Sequence, residues 1–239
     1  MKRIAALLKT DIKSISRDSI LIAITLAPIL IALVFKFGIP PLRELAAPYF
    51  ELRDYYPLIT AFFPVIVPSM YGFVIGFMLL DDRDENTLTA LAVTPLGKMG
   101  YVWYKLSIPT LTSLVMVLAL TPFIGLMQFD FIRFIPVALM TSLEAPIVTL
   151  FLSSFASNKV EGLALAKLDG VFFLPMCVPF FTKSPLQYIG GIMPSFWAGK
   201  SFESLSAGWE VFLPVLLLGF ASHFLFLILG YLKFRTRLN

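Results

Sequence analysis

Four ionisable side chains in the apolar runs of this chain are candidates for a site at membrane depth. They are Glu144 near the middle of the fourth run, Lys167 and Asp169 in the first half of the fifth, and His223 in the sixth. A charge at the centre of a bilayer costs about 2.5–3.5 kcal/mol or more, so such groups usually face a protein interior or water. They could therefore line a substrate path or relay protons. The alternative is structural: a bond that holds the fourth and fifth runs together, and a packed histidine in the sixth.

Signatures of enzyme chemistry are missing from the sequence. One cysteine, Cys177, cannot form an internal disulfide, and no Cys/His cluster indicates a metal site. The run PSFWAGKS ends in Gly-Lys-Ser like a phosphate-binding loop, but Pro194 stands five positions before Gly199, where that motif requires glycine. We therefore expect no catalytic residue, no metal and no cofactor in this chain.

The composition is that of a membrane protein. Hydrophobic residues make up 58% of the 239 positions and charged residues 14%, whereas soluble domains average about 45–50% and about 25%. Six runs approach or exceed the roughly 20 apolar residues that cross a bilayer. They lie near residues 19–37, 58–80, 101–127, 134–156, 161–182 and 211–232. The sequence thus predicts one all-α integral membrane domain over residues 1–239.

Lysine and arginine are unevenly divided between the two sides of these spans. Eleven lie on one side: Lys2, Arg3, Lys9, Lys13, Arg17, Arg83, Lys98, Lys159, Lys233, Arg235 and Arg237. Five lie on the other: Arg43, Arg53, Arg133, Lys183 and Lys200. Because basic residues accumulate in cytoplasmic loops, both termini are predicted to be cytoplasmic. The net charge of +4 is explained in this way without a nucleic-acid partner.

Residues 1–18 have the pattern of an amphipathic helix. One face of a helical wheel carries the apolar residues Ile4, Leu7, Leu8, Ile12 and Ile15. The cations lie off that face, and Asp11 is the single charge on it. Such a helix lies in the membrane interface with its basic side toward anionic headgroups. The alternative is a plain cytosolic extension of the first span.

The segment 183–210, on the predicted outer side, is broken by proline and glycine but rich in aromatic residues. It contains Trp197 and Trp209, whose rings prefer the membrane interface. We predict short re-entrant or interfacial helices here. They could form a structural cap over the outer mouth or a gate for substrate.

The stretch LLDDRDENTLTALAVTPLGKMGYVWYKL, residues 79–106, carries a polar segment between spans two and three. Asp82 or Asp84 can cap a helix, and Glu85 favours the helix dipole. A small apolar stripe follows, formed by Leu88, Leu91 and Ala92. Pro95 ends the pattern. We predict a short helix over 82–95 that docks into a partner and passes its motion to two spans; the alternative is a solvated loop.

This stretch and a second one resemble a known family. The Glu-x-Gly-Thr-Leu…Thr-Pro…Lys signature of ABC-2 type transporter permeases resembles Glu85, Thr87, Leu88, Leu91, Thr94, Pro95, Tyr104 and Lys105. SLEAP (142–146) and NKVEGLALAK (158–167) are similar to a bacterial subgroup of fluoroquinolone-export permeases. Asn86 departs from the glycine common in the wider family, although asparagine tolerates left-handed and capping conformations.

The resemblance covers the whole chain and implies a fold and partners. The fold is that of type V exporters: an N-terminal elbow helix, six spans, and a cytoplasmic coupling helix that contacts an ATP-binding subunit. The coupling residues would be Asp84, Glu85, Asn86, Thr87, Leu88, Leu91, Thr94 and Pro95, and the motif that opens span five would be Asn158, Lys159, Glu161 and Gly162. Two permease copies, identical or paralogous, would pair in the cytoplasmic membrane of a prokaryote. ATP and Mg would be bound by the partner subunits.

The cargo implied by the resemblance is amphipathic, because the spans are rich in phenylalanine, of which the chain has 24, and carry few fixed charges. A drug, a lipid and a peptide all remain open. Two other functions are alternatives. A proton-coupled secondary transporter could use Glu144, Asp169 and His223 as a relay, but it does not need the capped helix. A lipid-modifying enzyme would need a cluster of acids or histidines at one interface, and the sequence shows none.

Overall fold

The computed structural model describes residues 2–85 and 97–238, and these residues form helices without a strand. The helices are α1 Lys2–Ile15, α2 Ser19–Ala46, α3 Tyr56–Asp84, α4 Gly97–Ile124, α5 Phe131–Ser142, α6 Glu144–Phe155, α7 Lys159–Ala166, α8 Asp169–Phe181, α9 Pro194–Glu203 and α10 Trp209–Leu238. Short 3₁₀ helices at Leu52–Tyr55, Pro185–Ile192 and Ser204–Ser206 lie between them. Most of the predicted coupling helix, residues 86–95, lies outside the described residues.

Within the described residues, six helical stretches are long and apolar enough to cross a membrane, which confirms the predicted all-α membrane fold. They are Ser19–Ala46, Leu52–Asp84, Met99–Ile124, Phe131–Phe155, Lys159–Phe181 and Trp209–Thr236. The first continues past the predicted end at residue 37 because its helix accommodates Pro40 and Pro41. In its last turn Arg43 donates two hydrogen bonds to Glu51, at 2.7 and 3.0 Å, and this pairing lowers the pKa of the Glu51 carboxyl to about 2.

The fourth and fifth spans are each built from two helices. In the fourth span α5 ends at Ser142 and α6 begins at Glu144. The cause is Pro146, which has no N–H to donate to the carbonyl of Ser142, four residues earlier. In the fifth span Lys167 and Leu168 separate α7 from α8. The break in the fourth span places Glu144 in the first turn of a helix at membrane depth.

The most extensive helix–helix packing among the described residues is that of α3 on α6. Gly72 and Gly76 stand four residues apart on α3, the spacing at which small residues let two membrane helices approach. A Cβ atom on Gly72 would lie 2.5 Å from the carbonyl oxygen of Ala145, and one on Gly76 would lie 2.8 Å from Leu152 Cδ1. The Thr149 hydroxyl donates to the Gly72 carbonyl at 3.0 Å. The central helix α3 is thus fixed against the helix that begins with Glu144.

The segment 183–210 enters the bundle through α9. Nearly all of this helix is buried, and it packs against α3, α5, α8 and α10. At its end Glu203 pairs with Lys183 and with Lys200. Burial works to raise the pKa of the Glu203 carboxyl, but the two ammonium groups outweigh it and hold the pKa below its usual value. The two cations thus keep the carboxylate at the end of α9 ionised.

Candidate functional site

A buried ion cluster joins three helices beside the segment between α3 and α4. We define the Lys105 cluster as Asp11, Asp82, Tyr101, Tyr104 and Lys105. The ammonium of Lys105, whose side chain is only 1% exposed, lies 2.8 Å from Asp11 Oδ1 and 3.6 Å from Asp82 Oδ2. Tyr104 donates its hydroxyl to Asp11 at 2.9 Å, and Tyr101 donates to Asp82 at 2.6 Å. One cation therefore binds α1, the last turn of α3 and the start of α4 together.

The Lys105 cluster explains the single charge on the predicted apolar face of α1. Asp11, which the helical wheel places on that face, is buried at 6% exposure, and Leu7, Leu8 and Ile15 pack against the core. Ile12, which the wheel places on the same face, is instead 66% exposed. The wheel shows no partner for Asp11, because Lys105 lies 94 residues away in the sequence. The elbow helix is thus held by an ion pair as well as by apolar contact.

The predicted motif that opens span five lies beside the Lys105 cluster, at the same end of the bundle. Asn158 caps α7 by accepting a hydrogen bond from the backbone N–H of Glu161 at 3.0 Å. Lys159 bridges Asp18 at 2.7 Å and Asp81 at 2.8 Å. The Lys159 ammonium lowers the pKa of the Asp18 carboxyl.

The last residue of this motif, Gly162, lets α7 approach α3. A Cβ on Gly162 would lie 2.8 Å from Leu80 Cδ1. Near this contact, Arg83 donates to the carbonyls of Ser153 and Ala156 at 3.3 and 2.8 Å. The final turns of α3 are therefore bound to α1, α4, α6 and α7.

The predicted coupling residues begin where these contacts end. Asp84 closes α3, and both Asp84 and Glu85 are exposed. The remaining coupling residues, Asn86, Thr87, Leu88, Leu91, Thr94 and Pro95, lie outside the described part of the chain. Helix α4 begins at Gly97, whose φ of +66° is a backbone conformation that glycine adopts without strain. The structure thus describes the end of α3 and the start of α4 on either side of residues 86–96. The Lys105 cluster joins these two flanks.

The ionisable residues predicted at membrane depth are only partly brought together. The structure places Glu144 against His223 of the sixth span, with Glu144 Oε1 3.6 Å from His223 Nε2. Lys167 is exposed at the end of α7, and the side chain of Asp169 lies outside what the structure describes. Glu144 therefore meets α10, which packs on α6, rather than the fifth span. Sequence spacing could not show this pairing, because the two residues belong to spans that are not consecutive.

A cavity of about 330 Å³ lies beside Glu144, between α6, α8 and α10. Its aromatic walls are Phe151, Phe155, Phe172, Phe173 and Phe226. Its polar lining residues are Ser69, Glu144, Ser195 and Lys233. The wall residues Phe155 and Leu229 are 51% and 53% exposed, so the cavity is open to the surface at these two residues. This is the Glu144 cavity, an aromatic chamber with one buried acid.

Comparisons with known proteins identify the family to which this membrane protein is similar. The family model for the Rv2686c-like fluoroquinolones export permease protein matches residues 11–231. Two relatives, the fluoroquinolones export permease proteins MT2760 and Rv2686c from the CDC 1551 / Oshkosh and H37Rv strains of Mycobacterium tuberculosis, are each 31% identical over 206 residues. The matched part covers 84% of this chain and 82% of each relative. No solved structure matches the chain. The resemblance inferred from the sequence is confirmed, and the chain belongs to the Rv2686c-like family of export permeases.

Proposed function

We propose that this multi-pass membrane protein is the transmembrane subunit of an exporter driven by a separate ATP-binding-cassette subunit. The observation that carries the proposal is the Lys105 cluster, which joins both flanks of residues 86–96 to each other and to α1. A load applied to that segment cannot bend α3 and α4 independently, because breaking a buried ion pair leaves an uncompensated charge. The arrangement suits a segment that receives force from outside the chain.

The proposed orientation places this end of the bundle in the cytoplasm. Helix α1 lies at this end through Asp11, and so do Arg83, Lys159 and Lys233 of α10. The excess of basic residues on this side supports the assignment, because such residues are retained in the cytoplasm. ATP and Mg would be bound by the partner subunit, which approaches from the same side. The membrane would be the cytoplasmic membrane of a prokaryote.

The proposed cargo is an amphipathic molecule, and a second permease copy, identical or paralogous, completes the transport path. The names of the relatives assign fluoroquinolones to them, and we propose for this chain the broader class of amphipathic drugs, lipids or peptides. The aromatic walls of the Glu144 cavity support an apolar cargo. Helices α2 and α8 leave many large apolar side chains exposed, such as Val34 at 62% and Leu174 at 62%, for lipid or for the second copy.

The proposal predicts a specific docking requirement. When this chain is co-expressed with its proposed ATP-binding subunit, the two should co-purify. Leu88→Ser should abolish co-purification, because it removes one leucine from the apolar stripe of the predicted coupling helix. Leu186→Ser is the matched control, since Leu186 is 72% exposed but lies at the opposite end of the bundle. The measurement is the amount of subunit retained after affinity purification in detergent.

Two outcomes contradict the proposal. One is full retention of the partner by the Leu88→Ser variant. The other is transport by this chain alone in liposomes under a pH gradient. The second outcome would instead support the proton-coupled alternative, which the Glu144–His223 contact favours.

A further inference from the structure

Glu144 has a buried carboxylate oxygen that the protein leaves without a hydrogen bond. Its side chain is 9% exposed, and Oε1 has no hydrogen-bond partner among the described residues. The nearest polar group is His223 Nε2, but 3.6 Å is too long for a hydrogen bond. A buried polar group without a partner is costly, and a buried charge without a partner costs more. The site therefore lacks the group that would satisfy it.

The hydrogen bonding of His223 indicates what that missing group is. The other ring nitrogen, Nδ1, lies 2.7 Å from the carbonyl oxygen of Gly219. A carbonyl oxygen only accepts, so Nδ1 carries the hydrogen. In a neutral imidazole, Nε2 then presents a lone pair to Glu144 Oε1, and two acceptors face each other. The pair needs a positive species: either a proton held by one of the two groups or a cation from outside.

We propose that the Glu144 cavity binds an amphipathic aromatic amine, and that its protonated nitrogen is bound by the Glu144 carboxylate in place of the proton. The inference rests on the proposed function, because it makes this amine the cargo. The ring system would contact the aromatic walls, of which Phe151 and Phe172 lie 5.6 Å apart edge-to-face. Aromatic faces also attract cations. The negative charge of Glu144 and the aromatic walls of the cavity therefore both favour a protonated aromatic amine.

Among the described residues, no lysine or arginine lies within ion-pair distance of Glu144. The other charged residue that lines the cavity is Lys233, ten residues beyond His223 on α10, or about 15 Å along the helix. The Lys233 ammonium lies 5.9 Å from the centre of the Phe155 ring. The remaining described polar lining is Ser69 from α3 and Ser195 from α9, and α8 contributes Phe172 and Phe173. The acid at Glu144 is thus left for a ligand.

The test uses three fluorescent probes that share one ring system and differ in charge. Pyrenemethylamine, pyrenemethanol and pyrenecarboxylate are titrated into nanodiscs that contain this chain alone, with empty nanodiscs as the blank. The amine should bind about tenfold more tightly than the alcohol, because a hydrogen bond to a charged group is strong when buried. The carboxylate should bind most weakly. As the pH falls, the amine affinity should fall, because a proton competes for the Glu144 carboxylate, while the alcohol affinity stays constant.

Two variants separate charge recognition from folding. Glu144→Gln should remove the preference for the amine and its pH dependence while the alcohol still binds. Phe172→Ala should weaken the binding of all three probes and keep their ranking. Equal binding of amine and alcohol to the unmodified protein, or a preference that survives Glu144→Gln, would overturn the proposal. No ATP-binding subunit is present in this assay, so its outcome is independent of the docking test above.

Discussion

Lys105→Met is expected to destabilise the protein by about 3–5 kcal/mol and to stop export, since it leaves two carboxylates without their cation. The Lys105 side chain is 1% exposed, and its ammonium is shared by Asp11 and Asp82. Methionine keeps the length and the apolar stem but removes the charge. The free energy of unfolding is measured in detergent, and transport is measured with the ATP-binding subunit present.

The chain supplies its own matched control for this prediction. Lys159 also bridges two carboxylates: its ammonium lies 2.7 Å from Asp18 and 2.8 Å from Asp81. Its side chain, however, is 27% exposed. Water can solvate the charges there, so Lys159→Met should cost about 1 kcal/mol or less. Combining Lys105→Met with Asp11→Asn and Asp82→Asn should restore most of the lost stability, because no buried charge remains. Equal effects of the two lysine substitutions would contradict the buried-cluster interpretation.

Gly72→Ala is expected to cost about 2–3 kcal/mol, at the upper end for an overpacked site. The added Cβ atom would lie 2.5 Å from the backbone oxygen of Ala145 and 2.9 Å from Val148 Cβ. A backbone oxygen cannot rotate away as the end of a flexible side chain can, so α3 and α6 would have to separate. Separation would also lengthen the hydrogen bond from Thr149 to the Gly72 carbonyl. The measurements are thermal unfolding and the yield of folded protein from membranes.

Gly170→Ala is the control for this substitution. Gly170 also lies in a helix of a membrane span, but a Cβ atom there would meet nothing within 4 Å. Because alanine favours helix by about 1 kcal/mol over glycine, the control should be neutral or stabilising. If both alanine variants unfold at the same temperature, the close approach of α3 to α6 does not limit stability.

The sequence predicted the features that depend on local pattern. Six apolar runs of sufficient length indicated six spans, and the polar segment after Leu80 marked the junction between the second and third. The Gly-x-x-x-Gly spacing of Gly72 and Gly76 was also visible in the sequence, and it could have identified α3 as a closely packed helix. Pro146 could likewise have identified the helix break beside Glu144.

The features that sequence reasoning missed depend on contacts between distant residues. Asp11 and Lys105 are 94 residues apart, and no periodicity relates them. The sequence therefore left Asp11 as an exception on an apolar face rather than as the residue that holds α1. Chain order predicts a partner for Glu144 on span five, because consecutive spans usually pack side by side. In the structure, however, α6 packs more extensively on α10. Only the arrangement of all the spans decides which buried charges meet.

The exposed rim of the Glu144 cavity has a consequence for which molecules reach it. If lipid rather than the second permease copy meets the rim at Phe155 and Leu229, a ligand enters the cavity from the lipid phase. The concentration of a ligand in the lipid phase is its concentration in water multiplied by its oil–water partition coefficient. In that case, two compounds that fit the cavity equally well should occupy it to different extents if one is more lipophilic than the other.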